Sequence, residues 1–305
     1  MDIQAIISQL AVLFILLIFG YAGGKLKVLT PDTGKVLTKL VMNIALPCTA
    51  LSSVVGGNLR VTGGETAFYM LMSLLVFLIS FVIAVISARL FVKDKPTRGL
   101  YSYMIIFSNA AFMGYPVSFA IYGAASVFYV ALFNITFLVV VFTVGTILMS
   151  GKGGKPDLKA IFTPALIAAL LVIPLAIIGF KAPPIIADAI RLTGSITTPA
   201  SMLIIGVSLS LVPLKEVFSE WRLYPASLIK LMVVPVVLWF VLRPIVTDDL
   251  VLGMLIVISA MPTAAIAGMH AIEHGNDVKI ASAGIFLTTL LSCATIPLVV
   301  YMLLV

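Results

Sequence analysis

Apolar runs about as long as a membrane is thick, separated by short polar stretches, fill the chain from end to end. Divided at turn and charge breaks, they predict ten spans, at 3–22, 34–55, 66–92, 98–122, 124–149, 158–180, 184–212, 222–244, 249–274 and 278–304. The runs are continuous, not alternating at every second residue, so the spans are helical and not the strands of an outer-membrane barrel. The connections hold the punctuation: Lys-Val-Leu-Thr-Pro-Asp at 27–32, Lys-Asp-Lys-Pro at 93–96 and Gly-Lys-Gly-Gly-Lys-Pro at 151–156. No linker is long enough to form a soluble domain. Ahead of the first run stands only Asp2, and no small-residue cleavage pattern follows it, so it is expected to be a retained helix and not a signal peptide.

Composition sharpens this picture. Of 305 residues, 62% are apolar and 10% charged, against about 25% charged in a soluble domain. That is too thin a polar coat for a water-soluble globule, so an all-α membrane protein is expected. Cys48 and Cys293 lie inside apolar runs and imply neither a disulfide framework nor a metal site. The net charge of +7 reports topology first. With the N-terminus outside, the 15 basic residues Lys25, Lys27, Lys35, Lys39, Arg89, Lys93, Lys95, Arg98, Lys152, Lys155, Lys159, Lys215, Arg222, Lys230 and Lys279 fall on one side. Only Arg60, Lys181, Arg191 and Arg243 fall on the other. The bias puts both termini outside and the 151–156 loop in the cytoplasm.

The chain also divides into halves, 1–150 and 158–305, joined by a short cytoplasmic linker at 151–157. A shift of 152 residues lays Pro31 on Pro183, Pro47 on Pro199, Lys39 on Arg191, Gly123 on Gly275 and Thr136 on Thr288. Five spans per half is an odd number, so repeats so related must be inverted in the membrane. Inverted repeats are a recurring plan of secondary transporters, with substrate held near the midplane where the repeats meet. An accidental match in a chain of few residue types is the alternative.

Two spans are interrupted at their centres. The fourth reads Ser108-Asn109-Ala110-Ala111-Phe112-Met113-Gly114-Tyr115-Pro116, and the ninth Ser259-Ala260-Met261-Pro262-Thr263-Ala264. Proline removes a backbone donor and frees carbonyls at membrane depth, which is tolerated only in protein or beside a cavity. Matched breaks point to a transporter site, and the exposed half-helix N-termini would suit an anion. A plain proline kink is the competing explanation. Asn109 and Asn134 are deep amides able to bond a carboxylate or merely a neighbouring helix. Asn43, before Leu46-Pro47, and Thr197-Thr198-Pro199 mark weaker breaks in spans two and seven.

All 12 acids lie in connections or within about two turns of a span end, so no midplane carboxylate offers a proton relay. Lys39 and Arg191 are expected to snorkel from their span ends. The string His270-Ala-Ile-Glu273-His274 has the H-x-x-E-H order of one class of zinc peptidases. A third protein ligand is lacking unless Asp277 serves, and histidines at a helix C-terminus complement its dipole anyway. Neither an enzyme nor a metal site is expected.

At Asn109 to Pro116, at Met261-Pro262 and at Thr288-Thr289-Leu290-Leu291-Ser292, the sequence resembles the auxin efflux carrier family, which includes plant auxin exporters and bacterial permeases for malate, malonate and similar acids. The likeness extends through Thr198 to Leu209 and covers the chain. It implies ten helices in two inverted five-helix repeats, with spans four and nine crossing at their broken centres and a scaffold part separate from a moving transport part. It implies that Asn109 touches a substrate carboxylate, that Pro116 and Pro262 shape the crossover, and that Asn134 lines the pocket. The long hydrophilic central loop usual in plant exporters is absent, and Thr263 stands where an amide counterpart of Asn109 would be, so the bacterial acid permeases are the closer analogy. The expected function is a secondary carrier for a small mono- or dicarboxylate in a bacterial plasma (inner) membrane, working by alternating access. A membrane receptor that binds an acid without moving it is the alternative. Expected substrate contacts are Ser108, Asn109, Tyr115, Asn134, Thr263 and Asn43, and the breaks are shaped by Gly114, Pro116, Met261, Pro262, Pro47 and Pro199. No cofactor is expected, and the coupling ion, proton or sodium, is left open. The partners are the carboxylate, the lipid bilayer and, where the chain pairs, a second copy as a homodimer; nucleic acid is not among them.

Overall fold

The computed structural model describes residues 3–57, 59–150 and 161–304, so the linker expected at 151–157 lies outside the described residues. Among them the secondary structure is helical, with β-pairing confined to two isolated bridges. Each of the ten predicted windows contains helix. In chain order these are α1 (Ile3–Lys25), α2 (31–52), α3 (Gly63–Phe91), the half-helices α4 (Lys95–Ile106) and α5 (Gly114–Tyr122), α6 (Ala125–Ser150), α7 (Pro164–Ile178), α8 (Pro184–Ser210), α9 (Leu223–Leu242), the half-helices α10 (Asp249–Ser259) and α11 (Ile266–Glu273), and α12 (Val278–Leu304). Six of them, α1, α3, α6, α8, α9 and α12, are long and apolar enough to cross a membrane unaided.

Helix starts are written locally. Thr30 and Thr33 form a reciprocal capping box for α2, Thr62 and Glu65 do the same for α3, and Asp94 and Asp248 cap α4 and α10. The sixth window, expected from 158, becomes helical at Pro164, where Thr163 accepts the N–H of Leu166 and proline occupies the first helical turn. The expected weak break in span two is a π-turn inside a continuing helix: the Leu46 N–H reaches back to Val41 O, one position before Pro47. Proline cannot extend the ladder, and the wider turn takes up the mismatch without ending the helix. Ile196 alone interrupts α8 ahead of Pro199. These two places meet, since Thr49 Oγ lies 2.7 Å from the Thr197 hydroxyl and donates to Gly194 O at 2.9 Å.

The helices pack in two groups. α1 lies along the second half of α8, while α2 packs on α7 and the first half of α8. A Cβ on Gly206 would strike the backbone of Leu17 and Tyr21, and one on Gly20 the backbone of Leu203, so α1 and α8 touch main chain to main chain. In the other group α3, α4 and α6 pack together, and α9, α10 and α11 gather on α12. The outer surface is apolar: α3 turns Leu71, Leu74, Leu78, Val82 and Ile86 outward, each at least 49% exposed. A stripe of that length is unstable against water and suits lipid.

Candidate functional site

The two broken windows meet at their gaps. α4 stops at Ile106 and α10 at Ser259. Beyond those ends, 107–109 and 262–264 run antiparallel: Ala264 N–H donates to Phe107 O and Asn109 N–H donates to Pro262 O, both at 2.8 Å. Ser108 and Thr263 form the bridge between them. Helix ends leave carbonyls without intrahelical donors, and short hydroxyl side chains here supply some. Thr263 Oγ1 donates to Met104 O at 3.0 Å, and Ser108 Oγ to Ser259 O at 3.3 Å. Pro262 contributes the carbonyl of this pairing and has no N–H to satisfy. Met261 is fully buried beside it. Pro116 does not sit in the gap. It lies in the first turn of α5, opened by Gly114, where a missing N–H is no loss.

Between this crossing and the helices α2 and α7 lies a cavity of about 80 Å³. The fourth window presents Ser108, Asn109 and Tyr115 to it, α6 adds Asn134, and the opposite wall is formed by Met42, Leu46, Leu166 and Ala169. Asn109 Oδ1 accepts the Phe112 N–H at 3.2 Å, and its Nδ2 has no acceptor among the described residues. Asn134 is the reverse: Nδ2 donates to Val130 O at 2.9 Å and Ala110 O at 3.4 Å, which leaves Oδ1 for a guest. Ala265 and Ile266, at the start of α11, also line the cavity. Their amides have no intrahelical acceptor, and none among the described residues supplies one. One polar end with unspent N–H groups against apolar walls fits a small amphipathic guest with an acceptor-rich head.

The remaining expected contacts lie elsewhere. Thr263 is fully buried in the crossing and does not line the cavity; Asn43 is exposed and donates to Lys39 O in its own helix, at 2.8 Å. His270 is buried with Nδ1 3.1 Å from the Tyr103 hydroxyl. Among the described residues no three His, Cys, Asp or Glu side chains gather as metal ligands.

Sequence reasoning missed Lys230. Grouped there with the cytoplasmic basic residues, it is in fact 1% exposed inside α9, and its Nζ donates to Ser108 Oγ at 2.6 Å and Ser259 O at 3.3 Å. Its depth within the predicted span 222–244 was the available signal. A lysine at a span end can snorkel to water; one eight residues inside needs internal acceptors, which the crossing provides.

Comparison with known proteins gives the family. The profile of a family described as "Membrane transport protein" matches residues 5–300. An uncharacterized transporter of Methanocaldococcus jannaschii is 27% identical over 94% of this chain and 95% of its own. The "Putative malonate transporter" of Rhizobium meliloti is 26% identical over 74% of this chain and 73% of its own. The uncharacterized transporter YfdV of Escherichia coli is 24% identical, covering 97% and 96%. With nearly its whole length matched, the chain belongs to the membrane transport protein family of auxin efflux carrier-like permeases.

Proposed function

We propose that this chain is a secondary carrier that moves a small organic anion, a mono- or dicarboxylate, by alternating access, with the substrate held at the crossing of the fourth and ninth spans. The observation that carries this reading is the cavity between the crossing and α2–α7, where Asn109 Nδ2 and the first amides of α11 are left without protein acceptors. The cavity lies on the seam between the two packed groups of helices, so sliding one group past the other would alter access to it. In this reading ten spans form two inverted five-helix repeats, 1–150 and 158–305, with both termini outside the cell. Left-handed backbone recurs at the same offset of 152: Lys27 (φ 60°) with Gly179 (φ 64°), and Gly123 (φ 67°) with Gly275 (φ 65°). The Lys27–Gly179 pair supports the repeat independently of residue identity, whereas Gly123 and Gly275 already match in sequence and Gly57 (φ 70°) has no left-handed counterpart. The relative named for malonate supports a carboxylate.

The test is counterflow of radiolabelled mono- and dicarboxylates in proteoliposomes, with and without proton and sodium gradients. Uptake by the wild type, lost in Asn109→Ala while the variant still elutes as a folded species, is the expected result. Unchanged uptake in Asn109→Ala overturns the role of that amide. Binding without flux in sealed vesicles would identify a receptor instead.

A further inference from the structure

Lys230 is a buried amine with no carboxylate beside it: the ion pairs among the described residues are Lys35–Asp32, Arg191–Asp188, Arg222–Glu220 and Arg243–Asp249. An uncompensated charge at this depth is costly, and ionisable groups kept within membrane helices mark functional sites. Its two acceptors are a serine hydroxyl and the Ser259 carbonyl at the negative end of α10. An ammonium has three donors, so neither the charge nor the hydrogen-bonding capacity is fully answered by the protein. The hydroxyl it holds belongs to Ser108, which lines the cavity.

Building on the carrier reading, we propose that Lys230 is the fixed counter-charge of the substrate site, acting through Ser108 and selecting guests that bury a single carboxylate. In the structure Ser108 Oγ accepts from Lys230 and donates to Ser259 O across a long 3.3 Å contact. A carboxylate in the cavity is a stronger acceptor than that carbonyl, so the Ser108 O–H turns toward it while Lys230 keeps donating to Oγ. The result is a chain from ammonium through hydroxyl to carboxylate, in which each donor polarises the next. No proton changes owner. Asn109 recognises the guest's oxygen whether or not it is charged, because an amide N–H serves a carboxylate and a neutral carbonyl alike. Lys230 supplies the discrimination by charge. A single positive charge offsets a single negative one, and a second carboxylate drawn to the same depth would have no partner.

Three probes share one skeleton: malonate, malonamate and malonamide, with two, one and no negative charges. Their binding to the full-length chain in detergent is measured by titration calorimetry. The wild type is expected to prefer malonamate over malonamide by about tenfold or more, and to bind malonate no more tightly than malonamate. Lys230→Met should reduce that preference to within about threefold. Ser108→Ala, which keeps the lysine but cuts the chain, should reduce the preference likewise, so the outcome does not hang on one variant folding. Asn109→Ala should weaken all three probes together. A wild-type preference for the monoanion that survives in both Lys230→Met and Ser108→Ala overturns this role and leaves the carrier reading standing. A wild type that binds none of the three overturns the carboxylate reading for these acids and this inference with it.

Discussion

Ser108 and Thr263 stand opposite each other in one antiparallel bridge, and each hydroxyl donates to the last turn of the other's half-helix. Ser108, which follows α4, bonds Ser259 O of α10, while Thr263, which follows α10, bonds Met104 O of α4. The crossing is therefore tied reciprocally, and neither half-helix end is satisfied by its own chain segment alone. This reciprocity explains how bare backbone persists at membrane depth, where no water can serve it.

Removing one tie should be costly. Thr263→Val keeps the shape of the side chain but leaves Met104 O without the hydroxyl in a buried site. Unfolding in detergent should show a loss of about 1–3 kcal/mol, with Thr263→Ser retaining most of the stability. Wild-type stability in the valine variant would mean that the bond contributes little to the crossing.

The seam between α1 and α8 makes a second prediction. Gly206→Ala puts a methyl group against the Leu17 carbonyl and the Tyr21 amide, main-chain atoms that have no free rotamer with which to retreat. A loss of about 1–3 kcal/mol is expected from overpacking. Gly63→Ala, at the start of α3 with nothing within 4 Å of the added carbon, is the matched control and should be neutral or slightly stabilising. Equal melting temperatures for the two variants would contradict the close approach.

Asp94 predicts a pH effect at the start of α4. The Thr97 hydroxyl, and after it the Thr97 backbone N–H, bond its carboxylate and hold its pKa below the ordinary 3.8. Because the folded value is depressed, the cap's contribution is fully present above 3.8 and is lost as pH falls through the lower folded value. Hydrogen exchange at the Thr97 amide should accelerate over that acid range and should be fast at neutral pH in Asp94→Ala. Protection of this amide that is indifferent to pH and to Asp94→Ala would contradict the cap.

Much of the fold was legible from the one-dimensional pattern, and the reasons are local. Apolar runs, capping threonines and aspartates, and proline at first turns each act within a few residues, so helix positions follow from nearby sequence. The matched interruptions at Asn109 to Pro116 and at Met261-Pro262 were legible too, but their anatomy was not. Pro116 is the conspicuous residue, yet it belongs to the first turn of α5, and the gap in the fourth window lies before it at 107–113. Nothing in that stretch announces a break by propensity. It is open because its amide and carbonyl are taken by Pro262 and Ala264, about 155 residues later in the chain.

The same division holds for the site. Asn109 and Asn134 could be picked out because a deep amide in an apolar run is costly wherever the helix sits. Asn43 obeys that rule and still ends exposed, bonding Lys39 in its own helix, because burial depends on which face a neighbour covers. Lys230 shows the converse, a residue typical of span ends that becomes interior when Ser108 and Ser259, from two other windows, supply its acceptors. From sequence alone follow a membrane chain, its helical windows and the two that must be interrupted, since hydropathy, capping and proline act at short range. Which polar atoms face one another across the crossing, and which are left to meet a guest, was decided by tertiary packing, because hydrogen bonds between distant segments depend on where the helices come to rest.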